Sequence, residues 1–239
     1  MTMQTPNIAG AGPVYHRDLI QGSDEWMQQR CGLITGSEVK LLLSPKTLKP
    51  LNNEKTRAHI WELAAQRITN FVEPTYIGDE MLRGHDDEIT ARDLYSKHIA
   101  PVTQCGFVTN DEFGFTIGCS PDGLVGEDGG IEAKSRRQKF QVQTIVENFR
   151  HGTIPDDFVL QVQTELLVTR RAWWHFISFS GGLPMRPMDV EPNTEIQEAI
   201  VASCAEAERK IQEAISDWEG ALKSGLFIPT ERTVIQEMF

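Results

Sequence analysis

The sequence has few cysteines, and their positions indicate neither a metal site nor a redox site. The four cysteines, Cys31, Cys105, Cys119 and Cys204, are scattered along the chain and form no CxxC pair. A zinc site or a disulfide framework is therefore not expected. Buried structural thiols in a reducing cytoplasm fit this usage better.

Long apolar segments are also missing. No run approaches the roughly 18 apolar residues that a membrane helix needs, so no membrane association is expected. Residues 1–13 lack the basic and apolar stretches of a secretory signal, and they are predicted to be a flexible lead-in. Because no repeat or linker follows, residues 14–239 are predicted to form a single domain that ends in a long amphipathic helix.

Basic residues are fewer than acidic ones, and the formal net charge is −11. This argues against a protein that coats DNA through a generally basic surface. An enzyme with a local basic surface is still allowed, although each basic cluster taken alone fits a solvated face equally well. The clusters are Lys46, Lys49, Lys55 and Arg57, then Lys134, Arg136, Arg137 and Lys139, then Arg170 and Arg171.

The pattern of apolar residues predicts an α/β domain with a mixed sheet of about five strands flanked by helices. Helices are expected from their periodicity and capping residues at 23–32, 35–43, 54–69, 81–98, 138–150, 156–169 and 194–224. Strands are expected at 104–109 and 113–120, which form a hairpin, and at 131–135, 172–179 and 185–190.

The most informative residues are Ser120-Pro121-Asp122-Gly123 and Ile131-Glu132-Ala133-Lys134. Residues two apart on a strand face the same side, so Glu132 and Lys134 point together, beside Asp122 if the strands pair. Asp122, Glu132 and the carbonyl of Ala133 suit Mg²⁺, and Lys134 would orient an attacking water. The alternative is a simple turn followed by a solvated ion pair, and the pattern alone does not exclude it.

Further motifs support the interpretation of these residues as a metal-dependent hydrolytic site, as in a nuclease. The chain contains Gln21-Gly22-Ser23-Asp24-Glu25-Trp26, Arg30-Cys31-Gly32-Leu33-Ile34-Thr35-Gly36-Ser37-Glu38, Gly84 with Glu88, Cys119-Ser120-Pro121-Asp122-Gly123, Glu132-Ala133-Lys134 and Gln161-Val162-Gln163. In order and spacing they resemble the phage lambda exonuclease family, also called YqaJ-type viral recombinases, of the PD-(D/E)xK nuclease superfamily. The resemblance covers about residues 20 to 180 and implies a restriction-endonuclease-like core.

The resemblance also implies roles for individual residues. Asp122, Glu132, the carbonyl of Ala133 and the helix-borne Glu88 would hold metal, and Lys134 would serve the nucleophilic water. A pocket for the terminal 5′-phosphate would be formed by Arg30, Ser37, Ser120 and Gln161 or Gln163. Because Gln161 and Gln163 cannot both face one side of a helix, one of them is expected elsewhere. DNA contacts are expected from Met81, Lys46, Arg136 and Arg137.

The function implied is magnesium-dependent 5′-to-3′ digestion of linear double-stranded DNA. It would leave 3′ single-stranded tails for phage-type recombination by strand annealing. Two Mg²⁺ ions per site are expected, with Mn²⁺ as a substitute, and so are a homotrimeric ring, a single-strand annealing protein as partner and a phage or prophage gene. The alternatives are a restriction-type endonuclease and a catalytically silent adaptor that binds DNA ends.

Overall fold

The computed structural model describes residues 12–74 and 78–232. The predicted lead-in of residues 1–13 lies almost entirely outside these ranges. The helices are α1 Asp24–Arg30, α2 Glu54–Thr69, α3 Asp79–His98, α4 Gln138–Gln143, α5 Asp156–Thr169 and α6 Thr194–Leu222. The strands are β1 Val14–His16, β2 Ile34–Thr35, β3 Val102–Thr103, β4 Phe107–Asn110, β5 Ile117–Cys119, β6 Gly123–Val125, β7 Gly129–Ser135, β8 Trp173–Phe179 and β9 Pro187–Val190.

Capping residues begin several helices, as the sequence predicts. Ser23 caps α1 by accepting a hydrogen bond from the Trp26 backbone N–H at 3.2 Å. Asn53 caps α2 in the same way, with 3.0 Å to the Thr56 N–H. Each cap satisfies an N–H group that has no partner within its helix. The predicted bounds of α2 and α5 are confirmed to the residue.

The helix predicted at 35–43 is wrong. β2 pairs in parallel with β5, and the Gly36 N–H donates to the Gly118 carbonyl at 2.9 Å. Sheet pairing therefore uses the residues expected to start a helix, and only a 3₁₀ turn remains at Val39–Leu41. The apolar residues Val39, Leu42 and Leu43 are buried without a regular helix.

The strands form two sheets instead of one. Their orders are β1-β4-β5-β2 and β3-β6-β7-β8-β9. The second sheet is mixed and has five strands, but only β7, β8 and β9 of it were predicted. Strand β7 runs parallel to β8, and the other pairs are antiparallel. The predicted hairpin is confirmed as β4 and β5, but it belongs to the first sheet. The predicted α/β class with flanking helices is confirmed.

The chain crosses from one sheet to the other at residues 120–122, between β5 and β6. Gly123 allows this crossing because a Cβ there would lie 2.1 Å from Val102 Cγ1. On β7, Ile131 and Ala133 pack into a cluster with Tyr95 of α3. Glu132 faces the opposite side of the sheet, toward α5. Across the described ranges, no helix combines the length and apolar character needed to span a bilayer.

Candidate active site

The predicted catalytic residues meet at the end of β7. Lys134 forms an ion pair with Glu132, and Lys134 Nζ also lies 4.0 Å from Glu88 Oε1. Asp122 Oδ2 accepts a hydrogen bond from the Ala133 backbone N–H at 2.7 Å. Three carboxylates and one ammonium therefore converge from α3, from the crossing between the sheets and from β7. The carbonyl ligand role of Ala133 stays a prediction.

Negative charge exceeds positive charge in this cluster. Burial raises the pKa of Asp122 to about 7, and the charge of Glu132 adds to the effect. Burial also raises the pKa of Glu88 to about 7, with a further contribution from Asp122. Burial disfavours the ammonium of Lys134, but Glu132, Asp122 and Glu88 outweigh it and raise the Lys134 pKa. Lys134 is therefore a permanent cation that does not fully compensate its neighbours.

The donor set fits a hard divalent cation. Glu132 is 1% exposed, and its Oε2 is buried without a hydrogen-bond partner among the described residues. Carboxylate oxygens with added waters are the ligands that Mg²⁺ prefers. Within the described ranges no three acidic, histidine or cysteine side chains already surround one point as a complete cage. Lys134 and Gln161 both contact Oε1 of Glu132, so Oε2 is the oxygen of Glu132 that remains to bind a cation.

The structure adds Glu165, which sequence reasoning missed. Gln161 and Glu165 lie one turn apart on α5, and Gln161 Nε2 donates both to Glu132 and to Glu165 Oε1, the latter at 3.1 Å. Glu165 is 1% exposed, and burial together with the Glu132 charge raises its pKa well above the usual range. The sequence signal that could have identified it is its position one helical turn after Gln161 and directly before the apolar residues Leu166, Leu167 and Val168.

Arg30 forms a second part of the site with Ser120. Its guanidinium donates to Ser120 Oγ and to Thr35 Oγ1, both at 3.2 Å, and lies 4.3 Å from the Trp26 ring centroid. Burial lowers the pKa of Arg30. Ser37 lies beside this group, with its Oγ 3.5 Å from Thr35 Oγ1. The structure therefore brings Arg30, Ser37 and Ser120 together, and it adds Trp26 and Thr35.

The two parts of the site are close to one another. Burial raises the pKa of the Cys119 thiol, the charges of Glu165 and Glu132 raise it further, and Arg30 lowers it. Cys119 therefore lies within electrostatic range of both the carboxylates and the guanidinium. Ser120 and Asp122, which follow it, supply one side chain to each part.

The structure does not place Gln163 in the predicted phosphate pocket, so it is the glutamine of the two that lies elsewhere. Its Nε2 donates to the Glu191 carbonyl at 2.8 Å, and its Oε1 accepts from the Asn193 N–H at 2.8 Å. These bonds tie α5 to the segment before α6, so Gln163 is engaged away from the Arg30 group. The physical reason is helical geometry, since residues two apart on a helix face different directions.

The predicted DNA-contacting residues lie in different places. Lys46 is exposed in the loop before α2, and Arg136 and Arg137 follow β7 directly. Arg136 lies between two rings, with its guanidinium carbon 5.0 Å from the Phe140 centroid and 5.1 Å from the Phe158 centroid. Met81 belongs to α3, but its side chain lies outside the described part of the structure.

Solved exonuclease structures are similar to this chain. An alkaline exonuclease (LHK-Exo) from Laribacter hongkongensis is 27% identical with a TM-score of 0.67, over 83% of this chain and 100% of that chain. The same values hold for LHK-Exo in complex with dAMP. A phage related exonuclease from Haemophilus somnus 129PT shares the fold, with 12% identity, a TM-score of 0.55 and coverage of 78% and 96%. A search of curated proteins found no match.

The family comparison covers the whole site. The YqaJ-like viral recombinase domain matches residues 25–172, a range that holds Arg30, Glu88, Asp122, Glu132 and Gln161. The match exceeds half of the chain, and it agrees with the motifs and with the solved exonucleases. The chain therefore belongs to the YqaJ-like viral recombinase domain family.

Proposed function

We propose that this protein is a magnesium-dependent exonuclease that digests the 5′ strand of linear double-stranded DNA. The product would be a duplex with 3′ single-stranded tails, which are substrates for recombination by strand annealing. The observation that carries the proposal is the convergence of Asp122, Glu132, Glu88 and Lys134 at the end of β7.

Asp122, Glu132 and Glu88 would hold the metal, two ions per site in this proposal, and Mn²⁺ would substitute. When bound, Mg²⁺ supplies positive charge to the scissile phosphate and lowers the pKa of a coordinated water. Glu132 keeps a fixed direction because Gln161 donates to it from α5. The charges of Glu132, Asp122 and Glu88 raise the pKa of Lys134 and favour its cationic form, so Lys134 would orient the attacking water and favour its deprotonation.

Arg30 would select the DNA end. A terminal 5′-phosphate carries more charge than an internal diester, and a planar guanidinium can donate to two of its oxygens. Arg30 is held against Trp26, with Ser120 and Thr35 as its present partners. An incoming phosphate would accept the bonds that these hydroxyls now accept, and the scissile linkage would be placed over Asp122 and Glu132.

The related structures agree with this substrate. LHK-Exo is an alkaline exonuclease, and it has been seen with dAMP, a mononucleotide of the kind that stepwise digestion of DNA releases. Membership in a viral recombinase family supports recombination as the context. We extend the proposal to a homotrimeric ring around DNA and to a single-strand annealing protein as partner, both from the family resemblance. A bacterial cytoplasm is the proposed location.

Digestion of labelled DNA tests the proposal directly. With Mg²⁺, a linear duplex should lose a 5′-end label as mononucleotides while a 3′-end label stays in long strands, and a covalently closed circle should remain intact. Asp122→Ala, Glu132→Ala and Lys134→Ala should each abolish digestion while binding of DNA ends survives. Ca²⁺ should support binding with little cleavage, because its looser coordination positions the water poorly.

The alternatives give different results in the same assay. A restriction-type endonuclease would cut the closed circle. A silent adaptor would bind DNA ends and leave every substrate intact with Mg²⁺. Loss of the 3′ label first would contradict the proposed direction.

A further inference from the structure

A basic groove opens directly beside the catalytic cluster. It has a volume of about 580 Å³ and lies between α3, the segment after β7 and the turn after β8. Its lining contains four cationic side chains, Arg83, Arg136, Arg137 and Lys139, and one carboxylate, Asp87. This local excess of positive charge stands out in a chain whose net charge is −11.

The inner end of the groove adjoins the catalytic residues. Asp87 precedes Glu88 on α3, and Ser135 follows Lys134 on β7. Ser135 Oγ donates to Asp87 Oδ2, which joins the two elements at the groove's inner end. The inner end of the groove is therefore formed by the sequence neighbours of Glu88 and Lys134. A DNA strand that lies in the groove would lead directly to the catalytic residues.

Arg136 gives the groove a pre-arranged donor. Its guanidinium is held between Phe140 and Phe158, and its Nε is buried with no hydrogen-bond partner among the described residues. Its backbone N–H donates to the Phe179 carbonyl at 2.6 Å, which fixes the segment against the end of β8. A buried N–H group without a partner costs free energy. The side chain as a whole is partly exposed, so an anion in the groove would contact the outer end of the guanidinium and offset part of that cost through its charge.

A nucleic-acid backbone matches this lining. Phosphodiester groups bind Arg and Lys side chains through charge and hydrogen bonds, without regard to base sequence. Phe140 is partly exposed beside Lys139, whose Nζ lies 4.7 Å from the ring centroid, so the rim also offers an aromatic surface. Aromatic and cationic groups side by side are typical of grooves that follow single strands.

We propose that this groove binds the phosphodiester backbone of the DNA strand next to the scissile linkage, with Arg83 and Lys139 as backbone-binding residues in addition to Arg136 and Arg137. This inference rests on the proposed function, because it assumes a DNA substrate. It assigns Arg83 and Lys139 to binding and not to chemistry, since the contacts of the catalytic carboxylates in the described part of the structure involve Lys134 and the Ala133 backbone.

Binding without cleavage tests the groove. In a Glu132→Gln background, Arg83→Gln combined with Lys139→Gln should weaken binding of a linear duplex about tenfold at moderate salt. The slope of log affinity against log salt should become shallower by about 2, since two phosphate contacts are lost. Lys97→Gln combined with Lys223→Gln is the matched control, because it removes the same charge from exposed sites elsewhere and should leave both quantities unchanged.

The outcomes separate the groove from the proposed function. Binding and salt slope that stay at parent values in the groove variant would overturn the inference, and so would an equal loss in the control. In the catalytically intact chain, the groove variant should raise KM for DNA about tenfold with kcat retained. If the intact chain binds DNA through the groove but digests nothing with Mg²⁺, the nuclease proposal fails and the groove stands.

Discussion

Gln161 and Gln163 lie two residues apart on α5, and alanine at each should separate activity from stability. Gln163 Nε2 donates to the Glu191 carbonyl and its Oε1 accepts from the Asn193 N–H, both at 2.8 Å. Gln163 is 3% exposed, so water cannot replace these bonds after truncation. Asn193 also caps α6 by accepting from the Ile196 N–H at 3.1 Å. Loss of Gln163 should therefore loosen the attachment of α6.

The magnitude follows from the bonds that are lost. Each buried hydrogen bond contributes about 1 kcal/mol. The change removes the two short bonds and a longer one, which Gln197 Nε2 donates to Gln163 Oε1 at 3.4 Å. Gln163→Ala should therefore lower the free energy of unfolding by about 2–3 kcal/mol. For a chain of this size, a loss of that order lowers the melting temperature by roughly 4–10 °C. Digestion of linear duplex well below the melting transition should stay close to wild type.

Gln161→Ala should behave in the opposite way. Within the described ranges its side-chain amide donates to the carboxylates of Glu132 and Glu165, and its side chain is half-buried. Removing a group that orients a metal ligand typically costs about 10–100-fold in activity or metal affinity. Thermal melts and digestion rates of both variants decide the matter. A Gln163→Ala protein that melts normally but is inactive would refute this division of roles, as would a Gln161→Ala protein that is unstable but fully active.

Three further predictions concern charge. Glu165→Gln should raise the melting temperature at pH 8, because it removes one of two neighbouring buried carboxylates; a lower melting temperature would contradict this. The raised pKa values of Glu88 and Asp122 mean that these two groups bind more protons in the folded protein than in the unfolded chain, so their contribution to metal-free stability should fall as pH rises from about 4 to about 7 and then level off. Melts at pH 6 and pH 8 should then show greater stabilisation by Mg²⁺ at pH 8, whereas equal stabilisation would contradict the assignment. Arg30→Ala should reduce the preference for 5′-phosphate over 5′-hydroxyl ends and Arg30→Lys should restore it in part, whereas equal wild-type rates on both ends would remove Arg30 from end recognition.

The sequence predicts the parts of the fold that depend on local chemistry. The apolar period predicts the bounds of α2, although its buried face is formed by Thr56, His59, Ile60, Leu63 and Ala64. Alternation on β7 predicts the opposite directions of Glu132 and Ala133. The short strands β2 and β3 were not predicted, because each has two residues and depends on a partner far along the chain. The division into two sheets has the same cause, since it depends on which strands pair and not on their composition.

The candidate site shows the same limit. The motifs identify Asp122, Glu132 and Lys134, but no spacing rule predicts that Glu165 shares the Gln161 amide with Glu132. Helix geometry states that Gln161 and Gln163 diverge, but only the packing of α5 against β7 and α6 decides which one faces the carboxylates.

The balance of charge around Lys134 argues for function over stability. An ion-pair network that served stability would match each buried carboxylate with a cation, because an unpaired buried charge is costly. Here Asp122, Glu132, Glu88 and Glu165 share Lys134 as the principal buried cation within reach. Burial raises the pKa values of Asp122 and Glu88 to about 7, and the charge of a neighbouring carboxylate contributes to each rise. Carboxylates held together against their own repulsion are a stability cost that active sites commonly carry. A divalent cation bound by these carboxylates would reduce their mutual repulsion. The increase in melting temperature on adding Mg²⁺ therefore measures how much this repulsion destabilises the metal-free protein.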